Sequence, residues 1–106
     1  PTFIFTESKE CQDQENLNYI QAPFGSEELI PFILSFLYEK GLQSLIVEGG
    51  PNLLNRFLNL NVWDEARVFI GPGDLKKGLQ APSLESFGSP FSQDMLGPDK
   101  LICYRR

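Results

Sequence analysis

The sequence predicts an α/β protein: a three-layer fragment with a central, largely parallel sheet, helices on its faces and an antiparallel element at the C-terminal end. Three observations lead there. The stretch Ser44-Leu45-Ile46-Val47-Glu48-Gly49-Gly50-Pro51-Asn52-Leu53-Leu54 reads as a short buried strand, a glycine turn and the opening of a helix. A second β-prone run, Ala66–Ile70, lies beyond that helix, so two strands flank a helix of about ten residues, the pattern of a right-handed βαβ unit. Between Leu29 and Leu42, finally, apolar residues fall on two neighbouring helical faces, the surface of a helix packed on a sheet and on another element or subunit.

Taken in order, Thr2–Thr6 (TFIFT) is a short β-prone run and Glu7–Asn16 a polar connection. Leu17–Ile20 is a second strand, ended by Ala22-Pro23-Phe24-Gly25. Ser26, Glu27 and Glu28 offer a helix start with acids near the positive end of the dipole; Pro31 moves the regular helix a few residues later. Leu29, Ile33, Phe36 and Leu37 form one face of that helix, Ile30, Leu34 and Tyr38 the other, and Gly41 stops it. In the next strand three consecutive apolar residues, Leu45-Ile46-Val47, suit a position covered on both sides. Pro51 fits a first helical turn, and the helix runs to about Leu60, burying Leu53, Leu54, Phe57, Leu58 and Leu60 before Asn61 closes it. Asp64-Glu65 lead into the alternating strand Ala66–Ile70, ended by Gly71-Pro72-Gly73. Asp74–Asp99 is rich in Gly, Pro and Ser and reads as loops with one short strand; Lys100–Tyr104 is a last strand, at an edge or paired antiparallel.

At 106 residues the chain is at most one domain, read here as a single partial domain spanning residues 1–106. It is 42% hydrophobic and 12% aromatic, enough for an ordered core. A net charge of −5 speaks against nucleic acid as a partner, and no apolar run approaches membrane-spanning length. The chain has no histidine, which excludes His acid–base catalysis and His metal ligation by its own residues. Cys11 and Cys103 form no CxxC, so no metal site is expected; they read as free thiols in a reducing, cytoplasmic setting. The chain opens on Pro1 and its one methionine is Met95, the look of a piece of a longer protein.

Chemistry concentrates at Glu48–Leu54. A strand feeding a helix through glycines leaves free backbone N–H groups at the positive end of a helix dipole, an anion site for which phosphate is the usual occupant. A tight β-to-α turn with no ligand fits the same local pattern. Glu48 is a carboxylate at the carboxyl end of a strand, where ligand crevices of α/β sheets lie; hydrogen bonding to the glycine turn is its other reading. Asp64 and Glu65 read as groups that solvate a strand entrance, Trp63 as packing, Arg67, Lys76 and Lys77 as solvated cations within possible reach of a phosphate, and Arg105 and Arg106 as a polar tail.

Val47-Glu48-Gly49-Gly50, Asp64-Glu65 and Ile70-Gly71-Pro72, together with Phe3-Ile4-Phe5-Thr6 and Gly78-Leu79-Gln80-Ala81-Pro82-Ser83-Leu84, give the chain a familiar outline. It resembles the reductase domain of the bifunctional riboflavin-biosynthesis deaminase/reductase, whose fold is similar to dihydrofolate reductase. The resemblance covers nearly all of this chain and about the second half of that domain. It implies an NADPH-dependent reduction of the ribose carbon of a phosphoribosylamino-uracil, a pyrimidine ribotide, to its ribityl form. It implies that Glu48 contacts substrate beside the nicotinamide and that Gly49, Gly50, Pro51, Asn52, Leu53 and Leu54 border the cofactor's phosphates. Relatives often carry a small residue where Pro51 stands, so one donor is lost here. The resemblance also places further strands, and in many members a zinc deaminase domain, upstream of Pro1; the fragment alone is then expected to be inactive. A homodimer is expected from the broad apolar helix face. The rivals are another dihydrofolate-reductase-like reductase with a different heterocyclic substrate, and a non-catalytic nucleotide-binding or assembly module.

Overall fold

A computed structural model describes all 106 residues, as five strands, two α-helices and one short 3₁₀ turn. The chain groups into two units, Pro1–Ile46 and Val47–Arg106. No helix is long and apolar enough to cross a membrane.

In the first unit, β1 (Thr2–Thr6) and β2 (Leu17–Gln21) pair in parallel, Thr2 opposite Leu17 and Thr6 opposite Gln21. Alternation along β1 puts Phe3 and Phe5 on one face, where α1 (Leu29–Glu39) covers them. Phe36 meets Phe3 edge-on at 5.1 Å and Phe5 at 5.5 Å, and Phe32 meets Phe5 at 6.4 Å. Such pairs add about 0.5–1.5 kcal/mol each beyond the area they bury. The helix begins at Leu29, with Pro31 in its first turn where no N–H is needed, while Ser26 braces the lead-in by accepting the Glu28 N–H. Gly41, at φ +79°, ends it: its N–H bonds the Tyr38 carbonyl and the Leu42 N–H the Leu37 carbonyl. Ile30 is the deepest side chain of the molecule. Tyr38, expected on an apolar face, is exposed.

The strand expected at Leu45–Val47 does not form. Residues 42–50 belong to neither sheet, and Leu45 and Ile46 are exposed. A strand exists only through its partners, and none of the five strands pairs with this segment, so its β-prone composition goes unused. The βαβ crossover is therefore also absent as a hydrogen-bonded unit.

In the second unit, α2 (Pro51–Asn59) starts at the proline as expected, with Phe57 and Leu58 buried and Leu60 exposed. Asn61, at φ +56°, closes it in the same way as Gly41 closes α1: its N–H bonds the Leu58 carbonyl and the Val62 N–H the Phe57 carbonyl. β3 (Glu65–Ile70), β4 (Ser92–Leu96) and β5 (Asp99–Arg105) form an antiparallel sheet of order β3-β5-β4. The last strand thus pairs antiparallel, as expected, but sits at the centre of its sheet and not at an edge. The hairpin between β4 and β5 turns on Gly97-Pro98, with Gly97 at φ +59° in the first loop position, where a primed turn requires a positive φ.

Two further expectations are corrected. Arg105 and Arg106 are not a loose tail: Arg105 lies in β5 with its guanidinium 4.1 Å from the centre of the Phe91 ring, and Arg106 donates from its side chain to the Asn61 carbonyl at 2.9 Å. Arg67 is tied to Glu65 at 2.8 Å, with Arg105 at 3.6 Å from the same carboxylate. The hydrogen bond from Arg67 holds the Glu65 carboxyl below its ordinary pKa, with the nearby charges of Arg67 and Arg105 adding to it. Trp63 packs edge-on against Phe87 at 5.4 Å, the expected packing role. Both cysteines are free thiols, Cys11 exposed and Cys103 buried.

Candidate functional site

The residues singled out in the sequence, Glu48 to Leu54, all lie in the second unit, at the head of α2. Gly50 is the residue flanking the helix, in extended conformation (φ −69°, ψ 166°), and its carbonyl accepts the first helical bond, from the Leu54 N–H at 3.2 Å. Leu54 was expected among the residues bordering an anion. Its amide is instead consumed by the helix, because it stands four residues after Gly50, and only its side chain remains. Pro51 has no N–H to offer. The N–H groups of Gly49, Gly50, Asn52 and Leu53 donate to no acceptor of the protein. Four unpaired donors at or just before the start of a nine-residue helix, with no acidic residue in its first turn, give an electropositive patch.

The two glycines differ. A Cβ at Gly49 would come within 2.9 Å of Leu53 Cδ2 and 3.4 Å of its Cβ, so Gly49 is small to admit the helix's own side chain. A Cβ at Gly50 would meet nothing within 4 Å, and its φ is open to any residue. Packing gives no reason for glycine at position 50. Glu48 is exposed, two residues before the helix, and hydrogen-bonds nothing in the turn. Its reading as a brace of the glycine turn has no support in the structure.

From the head of α2 an open groove of about 590 Å³ runs along the helix, past Asn52, Asn55, Arg56 and Asn59 and beside the exposed Leu79. These polar residues recur at helical spacing on the solvent side, opposite Phe57 and Leu58. Sequence reading passed over Arg56. The spacing of its three asparagine neighbours was the available signal.

The family model of the RibD C-terminal domain matches residues 1–82. The chain belongs to the RibD C-terminal domain family. Among curated relatives, a 2,5-diamino-6-ribosylamino-4(3H)-pyrimidinone 5′-phosphate reductase of Archaeoglobus fulgidus is 40% identical over 52 residues, 48% of this chain and 24% of the relative. The riboflavin biosynthesis protein RibD of Bacillus amyloliquefaciens is 33% identical over 91 residues, 81% of this chain and 24% of the relative. A solved structure of the diaminohydroxyphosphoribosylaminopyrimidine deaminase/5-amino-6-(5-phosphoribosylamino)uracil reductase of Thermotoga maritima superimposes with a TM-score of 0.73 over 97% of this chain and 30% of that one, at 24% identity. The likeness bears out the α/β class and the fold that the resemblance implied, with parallel and antiparallel pairing in one chain. The RibD-family chain spans about a quarter of the length of the curated relatives it matches.

Proposed function

We propose that this RibD-family chain is part of an NADPH-dependent pyrimidine reductase of riboflavin biosynthesis, acting on a phosphoribosylamino-pyrimidine and converting its ribose to the ribityl form. The observation that carries the reading is the head of α2: unpaired amides at Gly49, Gly50, Asn52 and Leu53, open space before Gly50 and an exposed Glu48 in a chain of this family.

The donor set fits a dinucleotide's diphosphate. Backbone N–H groups at a helix start are already aimed, and the dipole favours negative charge there. Pro51 holds the first turn rigid while offering no donor, and the side chains of Leu53 and Leu54 border the same turn. When bound, NADPH supplies the hydride; the protein supplies position and field. Glu48 contributes a carboxylate beside the iminium-like sugar carbon, where it stabilises positive charge before the hydride arrives. In this reading the two units are parts of one reductase domain, a zinc deaminase domain belongs to other parts of some relatives and not to this chain, and the reductase works in the cytoplasm as a homodimer. Residues 1–106 alone do not turn over.

Glu48→Gln in the intact reductase is the test. Turnover, followed as NADPH oxidation with the pyrimidine substrate, should fall at least tenfold while NADPH affinity changes less than threefold. Unchanged turnover would remove Glu48 from the reaction. NADPH binding without substrate-dependent oxidation by the unaltered reductase would favour a nucleotide-binding module, and oxidation with a different heterocycle another member of the reductase group.

A further inference from the structure

We infer that residues 71–82, between β3 and the 3₁₀ turn, form a strap that closes when an anionic ligand carrying a flat ring fills the neighbouring groove, with Leu79 as the side chain that seats on it. This rests on the reading of the second unit as part of a nucleotide-dependent reductase, and it gives a task to a segment which that reading leaves idle.

The segment is tied at its two ends and nowhere between. Ile70 ends β3 at one side. At the other, Leu84 is buried and its carbonyl accepts the Phe87 N–H, while the Ser83 hydroxyl accepts the Glu85 N–H. From Gly71 to Pro82 no backbone group bonds another element; the only hydrogen bonds are internal, from the Lys77 N–H to the Leu75 carbonyl and from the Lys76 N–H to the Asp74 carboxylate. Every residue from 71 to 81 is exposed. A stretch with exposed backbone and few buried contacts opens and closes at low free energy. Its ends are also free to turn. Gly71 and Gly73 follow β3, and Gly78, at φ +150°, stands just before Leu79 in a conformation that a side chain would strain. The tip between them is pinned by the Asp74 and Leu75 bonds, so it moves as one piece.

What the strap carries decides what closes it. Leu75 and Leu79 are 89% and 86% exposed. A lone exposed leucine needs no explanation. Leu79, however, stands at the rim of the groove beside α2, and the helix meets it there with asparagines and an arginine. With the groove empty, Leu79 has little apolar surface to cover and closure gains nothing. A flat ring lying in the groove supplies that surface, so the ligand favours the closed arrangement by its differential contact with it. Lys76 and Lys77 travel on the same tip, and neither forms an ion pair. Closure therefore also brings two positive charges toward the ligand, in a chain of net charge −5, which selects an anion. Water is excluded from whatever the strap covers.

Hydrogen–deuterium exchange of the intact reductase, read by mass spectrometry on peptides covering residues 71–82, follows the strap directly. Without ligand these amides should exchange at close to the rate of an unstructured chain, and saturating NADPH should slow them by about tenfold or more. Leu79→Ser removes the seat. Because Leu79 is exposed in the open arrangement, serine should leave the melting temperature of the free protein unchanged. It should nonetheless abolish most of the slowing and raise the NADPH dissociation rate about threefold or more. NADPH binding with unaltered exchange at residues 71–82, or slowing that survives Leu79→Ser, overturns the strap and leaves the nucleotide reading standing. A melting temperature lowered by Leu79→Ser would place the side chain in the fold and overturn its role as the seat. An unaltered reductase that does not bind NADPH overturns both readings.

Discussion

A methyl group added at Gly50 should leave the fold almost unchanged and still remove most cofactor binding. The backbone there, φ −69° and ψ 166°, is open to alanine, and the new Cβ would meet nothing within 4 Å. Two opposing effects remain for stability. Alanine is the poorer helix-flanking residue and costs about 0.5–1 kcal/mol. Replacing glycine restricts the unfolded chain and returns about 0.4–1 kcal/mol. The sum lies within about 0.5 kcal/mol of zero by these two magnitudes. For a phosphate seated on the amides of Gly50, Asn52 and Leu53 the same methyl stands in the approach, and tenfold weaker binding, about 1.4 kcal/mol, is the smallest effect expected. Urea unfolding measures the first quantity and an NADPH fluorescence titration the second. A stable Gly50→Ala protein with unaltered NADPH affinity would refute the idea that the ligand reaches this glycine. A stability loss above about 1.5 kcal/mol would show that the glycine serves the fold, beyond what capping and chain entropy account for.

Two further predictions concern the frame around the site. Asn61→Ala should cost about 1 kcal/mol, because φ +56° places a Cβ against the following carbonyl, and Asn61→Gly should cost nothing; equal losses in thermal unfolding would contradict the account of the α2 end. Glu65, whose folded pKa is lowered by Arg67, contributes stability that is present above the ordinary glutamate pKa and lost as pH falls through the lowered folded value. The melting temperature of Glu65→Gln should therefore lie slightly below that of the unaltered protein near pH 7 and converge with it on acidification, and a gap that widens in acid would reverse the sign.

What the sequence carried was local. Gly41 and Asn61 were readable as helix stops because a positive φ is a property of one residue and its neighbours, and both stand at +79° and +56° as required. Pro51 marked a helix start because its ring suits only the first turn. The β-prone run Thr2–Thr6 formed because Leu17–Gln21 was there to pair with it. Leu45-Ile46-Val47 has equal β-propensity and no partner, which composition cannot report. The central place of β5 depends on two pairings, with β3 and β4, and its sequence looks the same at an edge or in the middle. Phe32 was missed because the helical faces were drawn from Leu29 and Ile30, whereas the ring that meets Phe5 lies beside Phe36, on the flank of the Leu29 face away from Ile30. At the site, the spacing Glu48-Gly49-Gly50-Pro51 announced a helix start with free donors. It could not announce that Leu54 spends its amide on Gly50, nor that Arg56 has no carboxylate near it, since both follow from three-dimensional neighbours.

The most direct measurement is a two-dimensional amide NMR titration of the protein with NADPH. The account predicts that the N–H signals of Gly49, Gly50, Asn52 and Leu53 shift first and furthest, with Leu54, already bonded to Gly50, moving less. Saturable shifts centred elsewhere, or none at these four amides while cofactor binds, would contradict it.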